Sequence, residues 1–437
     1  MNVFVIGLEE FNLRQLRTIR DADEYNFHGL VSYGEIVDPE HYPIEAMLDE
    51  ARLRLKGFGG SVDAIIGHWD FPTTCLLPLL RQPFGLPGPS LESVLKCDNK
   101  YWTRLVARES IPEATPPFQV VDPFSDTVLD DIGLPYPYWL KPVTAFSSYL
   151  AFRVRNRADL SHAVGKLRAG IDKFAEPYNT ICRLGGMHGL PGELQGRMCV
   201  AEGPITGHQC TVEGYVQAGR VECYAFVDSF RERNRSSFSR YQMPSILPLP
   251  VQERMRVLTV RLISHLGLDD TPFNVEFFWQ RGSGHIQLLE VNPRLSKSHC
   301  HLFTLTRGAS HHQVAVDVAL ARKPEFPRRP GLYRHAAKFM PRTFEDARVV
   351  HVPDAATVNR VERTFPGAEV HVHVRPGMLL SELPNQDSFS YELADIFLGA
   401  DSRPDLGHRF RRVMEMLDIR LAPVESTTDR AVSTARG

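Results

Sequence analysis

Phe273-Asn-Val-Glu276-Phe-Phe-Trp279, Gln280-Arg-Gly-Ser-Gly-His285 and Ile286-Gln-Leu-Leu-Glu290-Val-Asn292-Pro-Arg294 run consecutively, and they decide the fold. Two aromatic and aliphatic runs separated by a Gly-Ser-Gly turn predict an antiparallel hairpin. With the turn centred on Ser283, Glu276 falls opposite Glu290. Side chains alternate faces along a strand, so Glu290 and Asn292 share one face, and Phe278, Ile286 and Leu288 are expected there with them. Two facing carboxylates among large apolar side chains repel each other and are poorly solvated. A divalent cation between them relieves both penalties, and hard oxygen donors without Cys or His favour magnesium or manganese. The alternative is a hairpin edge whose acids are simply solvated.

Glu276, Glu290 and Asn292, with the Asn-Pro-Arg run, resemble the metal-binding signature of ATP-grasp enzymes. The resemblance implies that the two acids and Asn292 hold Mg2+ (or Mn2+) ions bridging the phosphates of ATP. It implies too that Arg294 faces the reacting phosphoryl group or the acyl phosphate. Gly85-Leu-Pro-Gly-Pro-Ser90 and Lys96-Cys-Asp-Asn-Lys100 resemble the start of the ATP-grasp domain in its biotin-carboxylase-like branch. Lys100 matches the first nucleotide-contacting lysine. Lys141, in Tyr138-Trp-Leu-Lys141-Pro142, matches the second, which contacts phosphate. Taken singly, each lysine reads as a surface residue; their order relative to the hairpin gives them the family's roles. Lys141 and Arg294 are the expected catalytic cations, offsetting charge that develops during phosphoryl transfer.

Val143-Thr-Ala-Phe-Ser147-Ser148-Tyr-Leu150 stands where the family has a glycine- and serine-rich loop over the phosphates. Ser147 and Ser148 match its donors, or form a structural turn. The usual glycines are missing, and Tyr149 replaces a small residue. Met198-Cys-Val-Ala-Glu202-Gly-Pro-Ile-Thr-Gly207-His208-Gln209 resembles the interdomain hinge that reads adenine. Glu202 matches the acid at its start; His208 and Gln209 are ribose contacts or polar residues at a strand end. His299, His301 and Arg307 follow the Asn-Pro-Arg run, where they could bind a carboxylate substrate near the transferred phosphate or serve structure alone.

Around this centre, strands at 3–6, 28–32 and 62–67 alternate with helical patterns through Leu13, Leu16 and Ile19 and at 44–56. That alternation predicts a parallel, doubly wound sheet, and no Gly-x-Gly-x-x-Gly follows the first strand. A helix is expected over 91–109, strands at 138–142, 198–202, 210–216, 221–227, 273–279 and 286–292, and helices at 158–169, 250–266 and 312–321. Gly/Pro clusters at 85–90 and 323–331 punctuate the chain. The fold class is therefore mixed α/β: a Rossmann-like unit over 1–95, an ATP-grasp unit over 96–325 hinged near 202–207, and a small C-terminal lid over 326–423. A polar tail at 424–437 reads as disordered.

The chain has 437 residues and a net charge of −2. That balance lacks the cationic surplus a general nucleic-acid or anionic-membrane binder needs. Seven scattered cysteines without a Cys-x-x-Cys pair argue against a disulfide framework or structural zinc. The N-terminal apolar run is too short for a signal peptide, and no stretch suits a bilayer span, which predicts a cytoplasmic protein. The resemblance implies an ADP-forming ligase that activates a small-molecule carboxylate as an acyl phosphate and passes it to an amine. Its layout looks like that of amino acid ligases, with a homodimer in keeping. The alternatives are a carboxylase of the biotin-carboxylase type and an ATP-binding protein without catalysis.

Overall fold

The computed structural model describes residues 1–424 apart from 38, 147, 234, 235, 327–329, 384, 385, 387 and 388. Ser147, and the predicted tail from residue 425 onward, lie outside the described residues.

The chain opens with three parallel strands, β1 (Asn2–Ile6), β2 (Asn26–Leu30) and β3 (Ala64–Gly67), in the order β2-β1-β3. Val3, Val5, Ile6, Ala64, Ile65 and Ile66 are buried, as expected of a parallel sheet covered on both faces. Ile44, Met47, Leu48, Ala51 and Leu55 form one apolar stripe on the Ile44–Lys56 helix and bury it. The predicted helix over 91–109 is two helices, Leu91–Asp98 and Lys100–Ser110. Asn99 breaks it, in an extended conformation, and its side chain accepts from Trp102 N to cap the second helix. The boundary expected at 95/96 therefore falls inside a helix.

β4 (Phe118–Val121), β5 (Tyr138–Pro142), β6 (Phe152–Val154) and β7 (Cys199–Glu202) make an antiparallel sheet ordered β4-β7-β5-β6. The Arg157–Gly170 helix buries Leu160, Ala163, Val164 and Leu167 in the cluster that holds Leu140, Val154 and Ala201.

β8 (His208–Gln217), β9 (Arg220–Arg231), β10 (Phe238–Met243), β11 (Thr271–Trp279), β12 (Ile286–Asn292) and β13 (His335–Phe339) belong to an eight-stranded antiparallel sheet. Two short ladders, β14 (Arg342–Thr343) with β17 (Tyr391–Glu392) and β15 (Ala347–His351) with β19 (Arg420–Pro423), stand beside it. β16 (Glu369–Val372) and β18 (Ala394–Ala400) complete the large sheet, ordered β12-β11-β8-β9-β10-β13-β18-β16. The boundary expected at 325/326 thus does not separate two sheets. Strands from the C-terminal segment continue the sheet that carries the acidic hairpin, because β13 pairs with β10 along Arg240–Met243.

Candidate functional site

β11 and β12 pair with Asn274 opposite Asn292 and Glu276 opposite Glu290, the register the turn predicts. Alternation then breaks. Phe277 pairs with Leu288, so Leu289 is an extra residue between Leu288 and Glu290, a bulge. The bulge sends Ile286 and Leu288 into the core with Phe273, Val275 and Phe277. Glu290 and Asn292 return to the other face beside Glu276 and Asn274. The expectation that Ile286 and Leu288 share the face of Glu290 is corrected by that one residue; Phe278 does share the face of Glu276. The carbonyl of Leu289 accepts from Arg104 Nη2 at 2.6 Å.

On the neighbouring β8, Thr211 lies opposite Glu276 and Gln209 opposite Phe278. Gln209 Nε2 donates to Glu276 Oε2 at 2.5 Å, while its Oε1 accepts from Arg231 Nε and Nη2 at 2.9 and 2.7 Å. Gln209 thus orients one of the two paired carboxylates. Burial, and then the charge of Glu290, push the Glu276 carboxyl up to about 8. Two close acids with this affinity for a proton are suited to take a divalent cation in its place. Asn292 Nδ2 donates to Asn274 Oδ1 at 3.0 Å, which leaves the side-chain oxygen of Asn292 as its remaining donor to a cation. The set consists of hard oxygens and fits magnesium.

The two lysines come to the same place. Lys100 opens the Lys100–Ser110 helix, and its Nζ donates to Ala145 O at 2.6 Å. Burial and the nearby Lys141 pull it down to about 8, with Glu290 and Glu202 opposing. Lys141 Nζ sits 2.6 Å from Glu202 Oε2, and Arg104 Nε donates to Glu202 Oε1 at 2.7 Å. Burial disfavours the Glu202 carboxylate, but Arg104 and Lys141 override it and hold its pKa at about 2. Glu202 is therefore engaged by two protein cations.

Gly207, in the segment expected to form the hinge, has φ +131°, and a Cβ there would meet Trp279 O at 2.4 Å, so only glycine fits. His208 Nε2 lies 2.8 Å from Asp228 Oδ1, and Asp228 also accepts from Ser245 Oγ and Ile246 N. Asp228 thus ties His208 down. In the loop after β5, Ser148 is exposed with φ +58°. Phe146 and Tyr149 set their rings edge-on to Phe174 at 5.1 and 5.2 Å, and Tyr149 Oη donates to Gly170 O. Aromatic anchors therefore hold this loop against the helix that carries Phe174.

Arg294 is held by Asp70, with Nε and Nη2 at 2.6 and 2.5 Å from Oδ1. Burial works against its charge, and Asp70 more than compensates. Asp70 follows the carboxyl end of β3, the edge at which open α/β sheets present ligand-binding groups. Of the other three expected substrate residues, His299 and His301 each take separate partners. His299 is buried on Glu213, Nδ1 to Oε1 2.6 Å, and burial with Arg294 and Lys338 holds it neutral, down to about 3. Burial raises Glu213 to about 7, opposed by His311 and Arg294. His301 links Gln15 Nε2 (3.0 Å) to Gly367 O (2.8 Å). Arg307 is exposed at the end of the Cys300–Arg307 helix.

Sequence reasoning missed Arg104, Asp70, Arg231 and Glu213. Arg104 lies one helical turn after Lys100, so a shared face was readable. Asp70 is 224 positions from Arg294, and nothing local couples them. A second acidic group, His373, Glu392 and Asp395, brings its ligand atoms within 4.8 Å of one another. Lys338 and Arg342 already pair with those acids.

Residues 134–301 match the ATP-grasp domain family. No curated protein matches the chain. The L-amino acid ligase from Bacillus licheniformis superimposes with a TM-score of 0.73 at 18% identity, covering 96% of this chain and 98% of that one. Carboxyaminoimidazole ribonucleotide synthase from Aspergillus clavatus, complexed with ATP, gives 0.64 at 14% identity over 96% and 99%. Biotin carboxylase from Campylobacter jejuni gives 0.61 at 15% over 96% and 92%. At these identities the likeness shows the fold. Among the described residues, no helix is long and apolar enough to cross a membrane.

Proposed function

We propose, from the premise that residues 134–301 form an ATP-grasp domain within an ATP-grasp fold, that this protein is a cytoplasmic, ADP-forming carboxylate–amine ligase acting on an amino acid or a similar small metabolite. The observation that carries the reading is the Glu276–Glu290 pair, with Asn292 beside it and Lys100, Lys141 and Arg294 around it.

In this reading Glu276, Glu290 and Asn292 hold magnesium, which supplies positive charge to the ATP phosphates. Lys141 and Lys100 approach the phosphates from β5 and the Lys100–Ser110 helix, and the backbone of the 143–150 loop covers them. The substrate carboxylate attacks the γ-phosphorus, a P–O bond forms, and ADP leaves. Arg294, aimed by Asp70, steadies the negative charge of the acyl phosphate. The amine attacks the acyl carbon, inorganic phosphate leaves with the bonding electrons, and the amine proton passes to solvent or base. Water must be excluded while the intermediate exists. The Gln209–Arg231 relay keeps Glu276 oriented throughout.

The test is release of ADP and phosphate by the purified protein with ATP and magnesium, screened against amino acids alone and in pairs. Release that depends on a carboxylate and an amine together supports the ligase. Release driven only by bicarbonate with biotin would replace it with a carboxylase. Tight ATP binding without turnover on any pair would leave an ATP-binding protein.

A further inference from the structure

A cavity of about 360 Å3 lies where the N-terminal sheet unit, the segment after Arg294 and the C-terminal strands meet. Phe11, Trp69, Lys297, Lys338, Asp395 and Phe397 are among its walls. The volume is at the small end of ligand pockets and suits a molecule of amino-acid size.

Lys297 and Lys338 face Glu9 and Asp395 in its walls, and they are not paired alike. Lys338 Nζ is 2.7 Å from Asp395 Oδ1. Glu9, at the rim, turns its carboxylate to the Glu10–Leu16 helix and accepts from Phe11 N and Asn12 N at 2.6 and 3.0 Å. His371 lies 3.2 Å from Glu369, and His373 lies 3.5 and 3.6 Å from Glu392 and Asp395. Lys297 is different. Its ammonium lies over the Trp69 ring, 4.3 Å from the centroid, and no carboxylate among the described residues lies within ion-pair distance. An aromatic face positions an ammonium without neutralising it. Burial and then the charge of Lys338 lower Lys297, with Asp395 and Glu9 opposing, and a bound anion would favour its protonated form.

The cavity adjoins the reaction centre through the chain itself. Trp69 precedes Asp70, and Lys297 follows Arg294 by three residues, so the Asp70–Arg294 pair and the Trp69–Lys297 pair are built from the same two segments. Arg294 and the paired carboxylates are assigned to the carboxylate that reacts, which leaves an anion on Lys297 as a group that a reactant keeps through the reaction.

Resting on the ligase reading, we propose that this cavity seats the amine substrate, and that this substrate is an α-amino acid with an apolar side chain. Its carboxylate sits on the Lys297 ammonium, and its side chain lies against Trp69, Phe11 and Phe397. Lys297 thereby selects amines that carry a carboxylate over those that do not.

Isothermal titration of the full chain, loaded with magnesium and a non-hydrolysable ATP analogue, tests this. The probes are leucine, phenylalanine and methionine, each beside its carboxamide. At least one acid is expected to bind about tenfold or more tighter than its amide, the size of one charge-assisted hydrogen bond. Lys297→Met is expected to erase that preference, Lys297→Arg to keep most of it, and neither to change affinity for the ATP analogue. The proposal is overturned by an equal response to acids and amides in the parent chain, by a preference that survives Lys297→Met, or by a parallel loss of nucleotide binding. Melting temperatures near that of the parent certify that the variants are folded. Because the titration needs no turnover, a preference lost in Lys297→Met while no pair releases ADP would sink the ligase reading and leave the anion site standing. ADP formation whose KM for both reactants is untouched in Lys297→Met would do the reverse.

Discussion

Replacing Glu202 with glutamine should cost the protein about 3 kcal/mol. The Glu202 side chain is 3% exposed, and its two oxygens are shared between Arg104, 2% exposed, and Lys141, 16% exposed. Holding its carboxyl from the ordinary 4.5 down to about 2, against burial, corresponds to about 3 kcal/mol. Removing one member of a buried ion pair costs about 3–5 kcal/mol by an independent route, because the abandoned charges stay buried. Glu202→Gln keeps the shape, so the charge is what the variant loses. Trp139 lies directly across the ladder from Glu202, which makes tryptophan fluorescence during urea unfolding a local reporter. The pH dependence carries a sign. The folded-state pKa is depressed, so the stabilisation is complete above about 4.5 and disappears as pH falls through about 2. The gap between parent and variant should be the same at about pH 6 and pH 7 and shrink by about pH 3. A gap under about 1 kcal/mol at neutral pH, or one that widens in acid, would refute the reasoning.

Four further outcomes are expected. Glu290→Ala should abolish ADP release while leaving the melting temperature near that of the parent; steady-state assays alongside thermal melts check both. Asp70→Asn should lower turnover by about tenfold or more with little change in the KM for ATP, because Arg294 loses its contacts at 2.5 and 2.6 Å. Magnesium should bind more weakly by about tenfold for each pH unit below about 8, since Glu276 must give up a proton, and titration at about pH 6 and pH 8 reads this directly. His373 is raised to about 9, with burial lowering it and Asp395 and Glu392 overriding. Its stabilisation is therefore complete below about 6.5 and lost as pH rises through about 9, and His373→Gln should flatten that part of a melting-temperature profile.

The acidic hairpin was legible because its turn is local. Gly282-Ser283-Gly284 sets the register, and Glu276 does face Glu290. Which apolar residues lie with them was not legible. The bulge at Leu289 carries no local sequence signal, and its carbonyl is taken by Arg104 from another element. Lys100 and Lys141 were singled out by their order along the chain, whereas the ion pair of Lys141 with Glu202 was not legible. Burial of Glu202 between two cations depends on Arg104 and β5 meeting across 98 and 61 positions of chain, which a linear reading does not pair. The same holds for His208 and His299, polar residues that Asp228 and Glu213 engage from neighbouring elements. The parallel N-terminal sheet followed from alternating apolar runs. The continuation of the large sheet into β13, β18 and β16 did not, because strand adjacency between segments about 100 residues apart rests on pairings such as Met243 with Ala336.

The structure of the protein with magnesium and a non-hydrolysable ATP analogue tests the central claim most directly. The account predicts metal density between the carboxylates of Glu276 and Glu290, phosphates within reach of Lys100 and Lys141, and the base against the 202–207 segment. Phosphates bound elsewhere, with the two glutamates sharing a proton and no metal between them, would contradict it.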